Sequence, residues 1–380
     1  LFEEIGIKTF TVHTGTFQPL FTPDVSNQEV AAEAGENLSE IVERKDRARA
    51  TAVMSRGTEK IIPRLYEEGK FDGIFSLGGS GGTSIIAPAM RRLPIGVPKI
   101  VVSTMASGNT EQYVGTSDVI LIPSIVDVAG LNIISTRIFS NAVFAMAGML
   151  EHRMNKSVDK KPLVAATMFG VTTPCIDFAK EYLESQGYEV LVFHATGTGG
   201  RTMESLIHSG YFKGVLDLTT TEWCDELFGG VLNAGPHRCE AAGLCGIPQV
   251  VSVGACDMVN FGPWDTVPKE YQGRNLYRHN PTVTLMRTTV QENEILGKKL
   301  AEKFNLAKGK TALFLPLKGV SMIDAEGQPF YGPEEDRMLF DMLRKNINRD
   351  VVQLYEMDCL MNDREFAIAA AKKLVEMMEK

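Results

Sequence analysis

Residues 73–77 are a short apolar run, and from Gly78 the chain breaks into Gly-Gly-Ser-Gly-Gly-Thr-Ser before a second apolar, helix-like stretch. A strand that turns at once into a helix constrains the fold more than any other feature here. It is the connection from which parallel α/β sheets are built. The glycines let the backbone turn tightly and approach a ligand. The first amides of the following helix then face outward and attract an anion. Gly78, Gly79, Ser80, Gly81, Gly82 and Thr83 are therefore the first candidate binding residues. No Gly-Lys-Ser/Thr closes the segment, so it is not a Walker A loop, and it lacks a clean Gly-x-Gly-x-x-Gly spacing. A tight turn that serves only the chain produces the same letters.

The rhythm repeats along the chain. In the first half we expect strands over 8–12, 73–77, 99–103 and 118–123. Helices are expected over 27–34, 45–68 (interrupted at Gly57), 83–90 and 135–151. Residues 155–162 are polar and charged, and mark the boundary between domains 1–158 and 159–380. The second half restarts with strands over 163–167, 189–193, 214–218, 249–253, 311–315 and 351–355. Its helices are expected over 174–186, 203–209, 279–305 and 363–379. The fold class is α/β: two Rossmann-like domains, each with a mainly parallel sheet flanked by helices. Residues 1–6 read as the end of a helix, so the strand and loop that normally open such a domain are expected to be missing from this numbering.

Length and composition limit the function. A chain of 380 residues suits two cores, and 44% hydrophobic with 23% charged residues is ordinary for a globular protein. A net charge of -8 argues against non-specific nucleic-acid binding, which needs a basic face; the pairs at 91–92 and 160–161 are too short to form a patch. The six cysteines have no Cys-x-x-Cys spacing, so neither a zinc knuckle nor a redox dithiol is signalled, and a reducing cytoplasm fits. No uninterrupted apolar run approaches about 20 residues, and no membrane crossing is expected. Self-association is expected, with the small-residue segment 141–148 as a packing element; packing inside the first domain is the alternative.

In an open α/β sheet, ligands bind beyond the carboxyl ends of the strands. In the first half that edge also carries Thr104, Ser107, Gly108 and Asn109, and then Asp127, which can take a ribose hydroxyl or cap a turn. In the second half it carries residues 194–201, with His194 as an acid or base and Arg201 as a fork for carboxylate or phosphate. Glu222 follows three threonines as an acid, base, metal ligand or helix cap. Asp257 lies in an otherwise apolar, glycine-bearing turn. His194, Arg201, Glu222 and Asp257 are the candidate catalytic residues. Cys256 reads as a buried thiol, Lys318 as a further positive charge at this edge, and Asp324 and 334–336 as a cap and a solvated acidic surface. No metal-ligating set stands out.

Blocks at these positions carry a more specific signal. They include 77–84, Leu-Pro-Ile-Gly-Val-Pro-Lys at 93–99, Ser-Gly-Asn-Thr-Glu at 107–111, and Met-Phe-Gly-Val-Thr-Thr-Pro-Cys at 168–175. Others are Asp-Met-Val-Asn-Phe-Gly-Pro at 257–263 and Leu-Met-Arg-Thr-Thr-Val at 285–290. Through them the chain resembles, over nearly its whole length, the Tm-1-like or UPF0261 family, whose plant members include the N-terminal part of the tomato mosaic virus resistance protein. The resemblance implies two α/β subdomains and an ATP site at residues 79–83 and 104–111, with magnesium as a companion although no carboxylate set is dedicated to it. It supplies no reaction. The expected function is ATP binding, with phosphoryl transfer to, or ATP-driven ligation of, a small acidic metabolite. The alternatives are a non-catalytic ATP-binding interaction protein and an ATP-independent small-metabolite enzyme.

Overall fold

A computed structural model describes residues 1–152 and 161–379. The chain divides into two compact units, Leu1–Ser157 and Val158–Lys380. Of the boundary segment expected over 155–162, residues 155–160 lie outside the described residues.

The N-terminal unit holds a parallel sheet of β1 (Ile74–Gly78), β2 (Lys99–Ser103) and β3 (Ile120–Pro123), in that order. β2 is buried along its whole length, as a central strand covered on both faces must be. Its side chains alternate between the two faces. Ile100 and Val102 pack with Ala142 and Met146 of the helix Ile133–Glu151. Val101 packs with Ile86, Ala89 and Met90 of the helix Ser80–Arg91. The register aligns Gly78, Ser103 and Pro123, so the three carboxyl ends finish level.

The C-terminal unit holds a parallel sheet of β4 (Leu163–Met168), β5 (Glu189–His194), β6 (Phe212–Thr219), β7 (Gln249–Gly254), β11 (Thr311–Pro316) and β12 (Val352–Met357). Read from the β5 edge, the order is β5-β4-β6-β7-β11-β12. The chain reverses its direction of travel between β4 and β6, the switch point where open sheets leave a crevice. One face is covered by the helices Thr173–Ser185 and Arg364–Glu379. The helices Val290–Phe304 and Pro333–Asn346 cover β7 and β11 on the other.

Several expectations are corrected. Residues 279–305 are not one helix. β9 (Leu276–Asn280) ends in a turn in which Asn280 Oδ1 accepts from Thr282 N at 2.8 Å. The chain returns as β10 (Val283–Arg287), and the helix Val290–Phe304 starts behind a Thr289–Glu292 capping box. Pro281 and the Asx turn break the helical period before it begins. β10 pairs antiparallel with β9 and with an unexpected strand, β8 (Met258–Phe261). Of residues 8–12 only Val12 pairs, as an isolated bridge to Val25, because Asp24 takes both the amide and the hydroxyl of Thr11. Gly57 does not interrupt Arg47–Glu67: a Cβ there would strike the backbone of Val30, so the glycine is a close-packing residue. The helix Ile133–Glu151 is long and apolar enough by length and composition to cross a membrane, although Arg137 and several hydroxyl residues divide its sequence.

Candidate functional site

In the N-terminal unit the glycine segment is a helix start rather than a loop. The helix Ser80–Arg91 begins directly after Gly79, whose position lacks a side-chain cap. The amides of Ser80, Gly81 and Gly82 precede the first intrahelical bond, from Thr83 N to Gly79 O at 3.0 Å, and so face the sheet edge. Gly78 must lack a Cβ, which would come within 2.9 Å of Gly82 Cα. Thr83 is buried and fixes the turn from below, bonding Gly79 O at 2.8 Å and Ser103 Oγ at 2.6 Å. Thr104 lies beside Gly79, and a Cβ on Gly79 would stand 3.6 Å from Thr104 Oγ1. Ser107, Gly108 and Asn109 are exposed beyond it, and Asn109 Oδ1 closes a turn by accepting from Glu111 N. Asp127 is exposed and accepts from Val128 N at 2.8 Å, a turn-forming contact that engages one carboxylate oxygen.

Sequence reasoning missed Arg47. It opens the helix Arg47–Glu67, and its guanidinium lies 3.9 Å from where a Cβ of Gly81 would sit. Free amides, a helix dipole and one guanidinium therefore share one place.

In the C-terminal unit the four candidate catalytic residues divide between two buried clusters and an exposed loop. His194 and Thr198 are exposed, and partial burial holds the imidazole below its usual pKa, hence neutral at pH 7. Arg201 Nη2 reaches Thr198 Oγ1 at 3.5 Å. Glu222 lies beneath this loop. Its Oε1 accepts from Gly197 N at 2.7 Å and Gly200 N at 3.1 Å, and its Oε2 from Arg238 Nε at 2.6 Å. Burial raises the Glu222 carboxyl, while Arg238 and the amides oppose that rise. With 1% exposure and these partners, Glu222 shapes the loop and does not face solvent. Gly200 leaves room for the Glu222–Arg238 pair, which a Cβ would strike. Arg238, also missed, further binds Asp217 through Nη1 at 2.5 Å and Nη2 at 2.7 Å, and Glu204 at 3.3 Å.

Asp257 belongs to the second cluster. It is fully buried; its Oδ2 accepts from Ser321 Oγ at 2.8 Å, and its Oδ1 has no hydrogen-bond partner among the described residues. Burial lifts its carboxyl to about 6. Arg287 from β10 binds Asp324 at 2.9 Å and Asp336 at 2.8 Å. The reading of Asp324 and residues 334–336 as cap and solvated surface is thus corrected for two of them: Asp324 is 0% and Asp336 6% exposed. Burial, with Asp257 and Asp336 nearby, pushes Asp324 up to about 10. Lys318 turns to the surface and pairs with Asp358 at 3.1 Å. Cys256 is fully buried, as its apolar setting suggested.

Among the described residues, Cys359, Asp363 and Glu365 have ligand atoms within 4.8 Å of one another. Burial lifts the Cys359 thiol to about 11, which keeps it protonated, and Asp363 accepts from Leu360 N at the helix start. This trio serves the chain turn and offers poor metal ligands.

Residues 1–155 match the model of the "Uncharacterised protein family (UPF0261) N-terminal domain" and residues 161–378 that of its C-terminal domain. A UPF0261 protein of Clostridium tetani is 56% identical over 381 residues, covering 100% of this chain and 94% of its own. The ToMV susceptible protein tm-1 of Solanum lycopersicum is 47% identical over 342 residues, and the ToMV resistance protein Tm-1 of the same plant 46% over 340. Each alignment covers 88% of this chain but 45% of the tomato protein.

Proposed function

We propose, for a chain that belongs to the UPF0261 family, that the N-terminal unit binds ATP, with the phosphates on the amides of Ser80, Gly81 and Gly82. The observation that carries this reading is the uncapped helix start at the carboxyl end of β1 with Arg47 beside it. Glycines at 79 and 81 leave the space beside Thr104 and Arg47 free of Cβ atoms, and glycine at 78 lets the strand end meet the helix start closely. Thr104, Ser107, Gly108 and Asn109 provide further polar contacts along the same edge, and the second oxygen of Asp127 suits a ribose hydroxyl or a magnesium-bound water.

The expected reaction is phosphoryl transfer to, or ATP-driven ligation of, a small acidic metabolite held in the C-terminal unit by His194, Thr198 and Arg201. The observation favouring that place is the exposed polar loop on β5, adjoining the switch point between β4 and β6. Glu222 supports this loop from below through the amides of Gly197 and Gly200.

Arg47→Ala is expected to weaken ATP binding about tenfold, the loss of one charge-assisted hydrogen bond of about 1.5 kcal/mol. Titration calorimetry with magnesium and ATP measures it. Absence of saturable binding by the unaltered protein at millimolar ATP would sink the ATP reading. Tight binding without ADP release on any acidic metabolite would favour the interaction protein instead.

A further inference from the structure

The helix Ile133–Glu151 is more apolar than its surroundings explain. Arg137 is the single charged residue between Asn132 and Glu151. A helix of this composition is ordinarily a core element, covered all round. Here only Ser135, Ala142, Val143 and Met146 are buried. The segment 141–148 divides accordingly. Ala142 and Met146 pack on β2, whereas Asn141, Phe144 and Ala145 are exposed. Gly148 continues the outward line at helical spacing from Asn141 and Ala145. A Cβ at Gly148 would meet open space, so its own unit does not require the glycine.

The strand beside this helix is an open edge. β3 is the last strand of its sheet, and its backbone groups on the side away from β2 have no hydrogen-bond partner among the described residues. The sequence Ile-Leu-Ile-Pro carries no charge, and its pairing with β2 has no bulge, two of the devices that close an edge. Ile120 and Ile134 are exposed, as are Leu131 at 78%, Ile133 at 75% and Phe144 at 54%. With Asn141 and Ala145 they expose on the order of 700 Å², more than the ~300–600 Å² of the largest patch on a typical monomer and near the ~800 Å² that each partner gives to a standard interface.

We propose that this face joins two copies of the chain across a two-fold axis. β3 pairs antiparallel with β3 of the second copy, and two three-stranded sheets become one of six strands. A strand edge paired antiparallel with itself is self-complementary, as a two-fold contact requires. The distances agree. The helix packs over β2 and β3 through Ile100, Val102 and Ile122, so its axis stands about 5 Å, one strand spacing, from a two-fold axis at the β3 edge. The two helices then run side by side about 10 Å apart, the distance at which helices pack. Ala145 and Gly148 permit that approach. A bilayer suits the face less well: Ala142 and Met146 hold the helix to the sheet, and hydrocarbon offers no partner to the β3 edge. The contact stands independently of the ATP reading.

Sedimentation equilibrium of the full chain is expected to show a dimer at micromolar concentration. Phe144→Glu puts a charge into the contact and Gly148→Leu a wedge. Each should raise the dimer dissociation constant at least about a hundredfold, because every dimer carries the change twice. Neither position is buried, so both variants should keep the circular dichroism of the unaltered chain. Ile295→Glu, at an exposed apolar position of the C-terminal unit, should leave the constant unchanged. The joined sheet has its own signature: the outward amides of β3 exchange slowly in the dimer and fast in the Phe144→Glu monomer. A monomer at every concentration, a dimer that keeps its affinity in both variants, or outward β3 amides that exchange equally fast in dimer and monomer would each overturn the proposal. A monomer that sediments with phosphatidylglycerol vesicles, and ceases to on Phe144→Glu, would overturn it by assigning the face to a membrane.

Discussion

Replacing Arg238 with alanine is expected to destabilise the C-terminal unit by about 3–5 kcal/mol, the usual consequence of leaving buried charges without their partner. Arg238 is 1% exposed, and its guanidinium binds Asp217, Glu222 and Glu204 as well as the carbonyl of Thr219. Asp217 and Glu222 are themselves 2% and 1% exposed, so water does not replace the lost donors. The loss is a large part of an unfolding free energy of about 5–15 kcal/mol. Urea denaturation followed by tryptophan fluorescence measures it, because Trp223 Nε1 donates to Arg238 O in the same core. Arg238→Lys should recover only part of the stability, since one ammonium cannot reproduce the Nε, Nη1 and Nη2 contacts. A loss below about 1 kcal/mol, the range of exposed ion pairs, would contradict the dry cluster described here.

Asp324→Asn is expected to change how stability depends on pH. Asp324 is fully buried, and burial together with Asp257 and Asp336 lifts its carboxyl from 3.8 to about 10, against the pull of Arg287. An acid raised in this way keeps its proton longer in the folded than in the unfolded chain. Its contribution is intact below about pH 4, its unfolded value, and is lost as pH rises toward the folded value. The slope per proton is at most about 1.4 kcal/mol per pH unit. Asparagine mimics the neutral acid and removes this slope. The variant should therefore melt higher than the unaltered chain at pH 9. Near pH 5 the order should reverse, because the amide has one acceptor for the two donors, Arg287 Nη2 and Val320 N, that the carboxyl now receives. Asp225, lifted to about 7 by burial in another cluster, slopes the same way in both proteins, whereas Asp257, lifted to about 6, faces Asp324 and shifts with it, so the difference between the two curves reports the Asp257–Asp324 pair. Parallel curves from pH 5 to 9 would mean that Asp324 is ionised throughout and the cluster is compensated in another way.

The glycine segment was legible because its information is local. A strand, a turn without Cβ atoms and a helix start are all specified within about a dozen residues. The alternation of Ile100, Val101 and Val102 between the two faces of the sheet is local in the same sense. The hairpin of β9 and β10 was not legible. Its apolar residues fit a helical period as well as a strand, and only the pairing of Leu285 with Asn260 and Tyr277 decides between them.

By itself, the sequence determined the α/β class, the positions of most parallel strands and the polar residues that fall at their carboxyl ends. Each depends on neighbours a few positions away. Only the tertiary structure decided which polar residues face solvent and which are locked in pairs. Arg238 lies 21 residues from Asp217, and Arg287 49 from Asp336. No periodicity links such positions, because an ion pair in a dry core is selected by the desolvation cost of the unpaired charges, and burial exists only once the sheets have packed.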